Sequence, residues 1–199
     1  RLNIDFDVEY GESFYHEMLP GVVQKLRDQN LAVDSEGAVC VFLDDFDTPM
    51  IVQKSDGAFL YSTTDLATIE YRVDQWQPDE ILYVVDHRQS EHFQKLFAVA
   101  QSWIAGSVQM RHISFGTVLD EHGRPYKTRS GSAVGLEGLL DEAVAKALDI
   151  VSADSGDGNN EYALTTQQCE EVADAVGHGA IKYADLAHNR TSDYVFSYD

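Results

Sequence analysis

"LYSTTDLATIEYRVDQWQPDEILYVVDHRQSEHFQKLFAVAQSWIAG", residues 60–106, changes its hydrophobic period along its length. Leu66, Ile69, Val73 and Trp76 recur at helical spacing, with Thr63 or Thr64 placed to cap the helix, Asp65 in its first turn and Pro78 beyond its end. "EILYVVD" (80–86) is then a continuous apolar run of strand length. Residues 88–106 return to a helical period that buries Phe93, Leu96, Phe97, Ala100 and Ile104. Outward from this stretch, 58–62 supplies a strand before it and "MRHISFG" (110–116) a strand after it. A polar loop, 117–135, leads to an amphipathic helix whose inward face is Leu136, Leu139, Leu140, Ala143 and Ala147. Strands alternating with helices over 58–150 specify an α/β fold with a parallel sheet, because parallel neighbours need a helical crossover.

The flanks read differently. Before residue 58, "LNIDFDV" has strand-forming composition, and Pro20 opens a short helix with Leu19, Val22, Val23 and Leu26 on one face. "GAVCVFL" (37–43) is a buried strand, and 50–62 is a pair of short strands about the turn dipeptide Asp56-Gly57. After residue 150, the polar stretch 152–161 is a linker. Thr165 and Gln168 then form a capping-box pattern that opens a helix running to about residue 190. "DLAHNRTSDYVF" ends that helix and starts a strand, with Arg190 and Asp193 spaced to pair. The chain therefore divides into segments 1–57, 58–150 and 151–199.

The 199 residues suffice for one well-buried domain, and 44% hydrophobic against 24% charged residues excludes a disordered chain. With 34 acidic and 14 basic residues the net charge is −20, which repels phosphate backbones and excludes sequence-independent nucleic-acid binding by the whole surface. Any nucleotide contact is local. No apolar run approaches the roughly 20 residues that cross a bilayer, so no membrane partner is expected. Cys40 and Cys169 lie far apart without a CxxC spacing, which suits reduced thiols and a cytoplasmic protein.

Ligands of parallel sheets bind beyond the carboxyl ends of the strands, which directs attention to three segments. In the first, Tyr61 and Asp65 stand four residues apart at a strand-to-helix junction. The carboxylate either takes a guanidinium or ammonium ligand or merely caps its helix. In the second, Asp86, His87, Arg88 and Gln89 follow the strand end, facing a ligand or solvating a helix start. His87 and His92 are five apart, the wrong spacing for a metal pair on one helical face, and no protein-held metal is expected. In the third, residues 116–131, Arg124, Lys127 and Arg129 supply positive charge, Thr128 and Ser130 hydroxyls, and Gly116, Gly123 and Gly131 close backbone approach. This is either a phosphate-binding loop or a surface hairpin, and it is not a Walker loop.

Taken in order, "GESFYHEMLPGVVQKL" (11–26), "QKSDGAFLYSTTDLA" (53–67), "YVVDHRQSEHF" (83–93), "GRPYKTRSG" (123–131) and "GAIKYADLAHNRTSDYVF" (179–196) resemble the catalytic core of the arginyl-tRNA synthetases, a class I aminoacyl-tRNA synthetase family. The likeness implies the second half of a Rossmann-like parallel sheet (58–150), an α+β insertion segment before it (1–57), and a linker and helical segment after it (151–199) leading toward an anticodon-binding domain. It implies that Tyr61, Asp65 and Gln89 hold L-arginine, and that Asp86, His92, Gly116 and Lys127 lie against ATP, Asp86 and His92 belonging to the segment that in class I enzymes lines the adenosine or aminoacyl pocket. Lys127, Thr128, Arg129 and Ser130 would form the family's version of the KMSKS loop, with Arg129 in place of the second lysine. Magnesium would arrive with ATP, and tRNA(Arg) would be the acceptor.

No HxGH occurs in the 199 residues, an element the resemblance places upstream of Arg1. The chain is thus expected to be an internal fragment, inactive in arginine-dependent ATP–pyrophosphate exchange and prone to self-association through uncovered apolar surface. The competing expectations are a truncated relative that binds arginine or a nucleotide without chemistry, and another class of α/β nucleotidyl transferase.

Overall fold

The computed structural model describes residues 1–104, 108–119, 122–124, 135–155 and 164–195. It divides into two compact units, one of Phe6–Ser114 and one of Arg1–Asp5 with Phe115–Asp199. The fold is mixed α/β with parallel strand pairing.

The first unit begins with a 3-10 turn over Glu12–Met18 that runs into α1, Leu19–Asp28. Pro20 occupies the first turn of α1, where a missing N–H is harmless, and Leu19, Val22, Val23 and Leu26 form the buried face. Strands β1 (Ala32–Ser35), β2 (Ala38–Val41) and β3 (Met50–Gln53) make an antiparallel sheet in that order. The β1–β2 hairpin turns on Glu36 (φ 50°) and Gly37 (φ 81°), the two left-handed residues that match the twist of paired strands. Helix α2 spans Tyr61–Trp76 and stops at the left-handed Gln77 (φ 48°), one residue before Pro78. Strand β4, Glu80–Asp86, leads through a one-turn 3-10 segment, His87–Gln89, into α3, Ser90–Trp103; β5, Gln109–Phe115, pairs with β4. The Gln109 N–H donates to the Asp79 carbonyl (3.0 Å), so the two strands start side by side. Leu26, Val52, Leu66, Ile69, Leu96 and Val99 are fully buried at the centre of this unit.

Four expectations change here. The N-terminal "LNIDFDV" is not a strand: Ile4, Phe6 and Val8 are exposed, and extended backbone without a paired neighbour forms no sheet. The hairpin over 50–62 shrinks to one bridge, Gln53 to Phe59, beyond a turn held by Asp56 and Gly57. The chain then enters α2 at Tyr61, with Leu60 rather than a threonine at the cap position. Ser62 and Thr63 donate their hydroxyls to the carbonyls of Ile51 and Val52, stitching the first turn of α2 to β3. Thr63 is fully buried and satisfied by that bond instead of by capping. The strand "EILYVVD" is also less uniformly buried than its composition suggests. Ile81 and Tyr83 point into the core, while Leu82 (51%) and Val84 (66%) are exposed on the opposite face.

In the second unit, β6 (Val118–Leu119) pairs in parallel with β7 (Tyr194–Val195). Helices α4 (Leu136–Ser155) and α5 (Thr166–Ala187) pack along one another. The capping box forms as expected: the Gln168 N–H donates to the Thr165 hydroxyl, and the Gln168 side chain accepts from the Thr165 N–H at 2.9 Å. On α4, Leu140, Ala143 and Ala147 are buried and Leu136 is exposed, so the expected inward face lacks its first member. Residues 152–155, expected as linker, continue α4. His178 donates from Nδ1 to the Asp174 carbonyl (2.8 Å) and accepts at Nε2 from Arg1 (3.2 Å), and Arg1 also pairs with Asp141 (2.7 Å).

Candidate functional site

Tyr61 and Asp65 lie one turn apart on the same face of α2, so the helix presents both together by its own geometry. His92, in the first turn of α3, meets them there. Its Nε2 stands 2.7 Å from Asp65 Oδ2, and its ring lies edge-on to the Tyr61 ring at 4.8 Å between centroids. Tyr61 is 62% exposed, the Asp65 side chain 33% and the His92 side chain 12%, so a carboxylate stands at the surface over a mostly buried imidazole. Phe93 continues the contact: its ring packs on His92 (5.2 Å) and stacks on His112 (4.7 Å), whose Nε2 bonds the Val85 carbonyl at 2.9 Å.

Asp86 ends β4. Its Oδ1 accepts from the Arg88 backbone N–H (2.8 Å) and from Arg88 Nε (2.9 Å), and its Oδ2 accepts from the same guanidinium (2.7 Å). The Arg88 side-chain bonds hold the carboxyl well below the usual range, at about 2. A depressed carboxyl stabilises the fold above its unfolded value, roughly 4, and this contribution fades as pH falls from there toward about 2. Arg88→Ala is accordingly expected to return the Asp86 titration to the ordinary carboxylate range, read from the side-chain carbonyl signal by NMR. Gln89 is the exposed last residue of the same short turn, three positions before His92.

Beside Tyr61 and His92 opens a cavity of about 460 Å³, lined further by Met50, Ile51, Arg88 and Lys95. Lys95 is only 9% exposed. Its Nζ donates to the Thr48 hydroxyl (2.7 Å), pairs with Glu91 (2.8 Å) and lies 5.4 Å from the centre of the Phe46 ring. Sequence reading missed Lys95 and this wall of the cavity. The available signal was a lysine on the otherwise apolar inward face of α3, four residues after a glutamate.

Gly116 has a packing reason of its own: a Cβ there would sit 2.2 Å from the Ser192 carbonyl oxygen, and its N–H donates to the Arg190 carbonyl (2.8 Å). The neighbouring Thr117 N–H donates to Asp193 (2.7 Å), so 116–117 and 190–193 are bound backbone to backbone and backbone to carboxylate. Lys127, Thr128, Arg129 and Ser130 lie outside the described residues. Among the described residues, no group of three histidine, cysteine or acidic side chains is placed to hold a metal.

The chemistry of this arrangement is that of a fixed anion beside an aromatic ring, suited to a planar cation. A catalytic-domain profile described as "tRNA synthetases class I (R)" matches residues 1–198. The arginine–tRNA ligase of Rhodopirellula baltica is 55% identical over all 199 residues, which span 30% of its length, and that of Cyanothece is 49% identical over 96% of this chain and 34% of its own. Among solved structures, arginyl-tRNA synthetase from Plasmodium falciparum superposes on the whole chain with a TM-score of 0.79 at 30% identity, over 32% of its own length. The Thermus thermophilus arginyl-tRNA synthetase, at 21% identity, shares the fold with a TM-score of 0.74 over 38% of its length. The chain thus spans about a third of the proteins it matches.

Proposed function

The chain belongs to the class I arginyl-tRNA synthetase family, within its catalytic domain, and from that premise we propose that it carries the arginine-recognition side of an ATP-dependent arginine–tRNA ligase. The observation that supports this reading is the partly exposed Asp65 carboxylate bonded to His92, whose ring lies edge-on to Tyr61. Asp65 takes the guanidinium by charge-assisted bonds, Tyr61 flanks it, and Gln89 contacts the amino acid from the turn after β4.

In the reaction, the arginine carboxylate attacks the α-phosphate of ATP, displacing pyrophosphate and leaving arginyl-adenylate. The terminal hydroxyl of tRNA(Arg) then takes the arginyl group and AMP leaves. Such a step needs positioning and positive charge against the transferring phosphate rather than a covalent nucleophile. Lys127, Thr128, Arg129 and Ser130 supply that charge and the hydroxyl donors, with Gly116 and Asp86 at the ATP side and magnesium carried in with the nucleotide. In the absence of an HxGH element, the 199 residues bind without completing the exchange reaction.

Calorimetric titration of the chain with L-arginine, L-lysine and L-citrulline tests the assignment. Arginine is expected to bind, lysine roughly 30-fold more weakly for want of a forked donor, and citrulline, which keeps the shape without the charge, more weakly still. Equal affinity for arginine and citrulline would overturn charge recognition by Asp65.

A further inference from the structure

An ionised carboxylate has about four acceptor positions and only accepts, so the proton in the bond between His92 and Asp65 resides on Nε2. This bond occupies one acceptor position on Oδ2, and the Asp65 side chain is 33% exposed. A surface aspartate otherwise turns freely about its last torsion, whose preference is broad. Here the donor cannot follow such a rotation. The imidazole is 12% exposed, wedged between the rings of Tyr61 and Phe93, and Phe93 is backed by His112, which is tied to the β4 backbone through Val85.

A planar, forked cation needs the two carboxylate oxygens in its own plane, whereas an ammonium ion bonds one oxygen from any direction. We propose that His92 is a positioning residue that fixes the plane of the Asp65 carboxylate, and thereby sets the preference of this site for a guanidinium over an ammonium ligand. The proposal rests on the reading that Asp65 receives the guanidinium. It assigns His92, which the family resemblance sets in the segment lining the adenosine or aminoacyl pocket, to the amino-acid side.

The experiment compares the chain with its His92→Ala and His92→Gln variants by calorimetric titration with L-arginine, L-lysine and ATP. A proton–nitrogen NMR spectrum of the His92 ring is recorded in the chain and in Asp65→Asn. His92→Ala is expected to weaken arginine about 10-fold, the scale of one hydrogen bond to a charged group, and lysine less than about 2-fold, with ATP unchanged. His92→Gln, whose amide can donate toward the same oxygen, restores most of the preference. The NMR signature is a proton on Nε2 that shifts when Asp65 becomes asparagine. Arginine and lysine weakening equally in His92→Ala, a loss confined to ATP, or a proton on Nδ1 alone would each sink the positioning role. Failure of the unaltered chain to bind arginine at all would instead sink the functional reading, and the proposal with it.

Discussion

Gly177→Ala destabilises the chain by roughly 1–2 kcal/mol, while Gly179→Ala, two residues further along the same helix, stabilises it by up to about 1 kcal/mol. Both substitutions gain the same helix propensity, so their difference isolates packing. A Cβ on Gly177 would stand 2.7 Å from Val144 N and Cα and 2.9 Å from the Ala143 carbonyl carbon. Those are backbone atoms of α4 that no rotamer change can move aside, and Gly177 lies among the buried positions of α5 with Cys169 and Ala173. Overpacking of this kind typically costs about 1–3 kcal/mol, which outweighs the propensity gain. At Gly179 a Cβ meets nothing within 4 Å, and only the propensity remains. Urea unfolding followed by helical circular dichroism measures both. Equal shifts for the two variants would mean that α4 and α5 do not approach as closely as these distances require.

The same contrast shows what a sequence can carry. Strand β4 begins and ends where its apolar run does, and α5 starts at the Thr165–Gln168 box, because each is decided by neighbouring residues. The start of α2 was not legible. Tyr61 reads as the end of a strand by composition, yet the hydroxyls of Ser62 and Thr63 reach β3 carbonyls eleven residues back and draw the helix forward. The exposed face of β4 was equally hidden, since a run of apolar residues says nothing about whether both sides of the strand are covered. At the site, the four-residue spacing of Tyr61 and Asp65 was readable as a junction that brings both to the sheet edge, and the structure instead sets them one turn apart on α2. The bond from His92 was not readable, because it joins residues 27 apart through the placement of α3 beside α2.

Asp65→Asn is expected to weaken L-arginine binding on the order of 100-fold, from the loss of a charge-assisted pair worth about 2–3 kcal/mol at a partly exposed site. The side chain keeps its size and an oxygen that can still accept from His92, so the change removes charge with little loss of shape. It also puts an N–H donor where the ligand presents donors of its own, which adds repulsion to the missing attraction. Asp65→Glu reverses the comparison. It restores the charge but moves the oxygens out by one methylene, beyond the 2.7 Å contact with His92, and about a tenfold loss is expected from that misplacement alone. Calorimetry on both variants separates the two contributions, and thermal unfolding checks that neither reports a damaged fold, since a half-exposed polar swap changes stability by about 0.5 kcal/mol or less. The order matters more than either size: an anion near the ligand is enough only if glutamate binds as well as aspartate. If the glutamate variant instead binds markedly less well while asparagine nearly abolishes binding, then recognition needs both the charge and its fixed position over the imidazole.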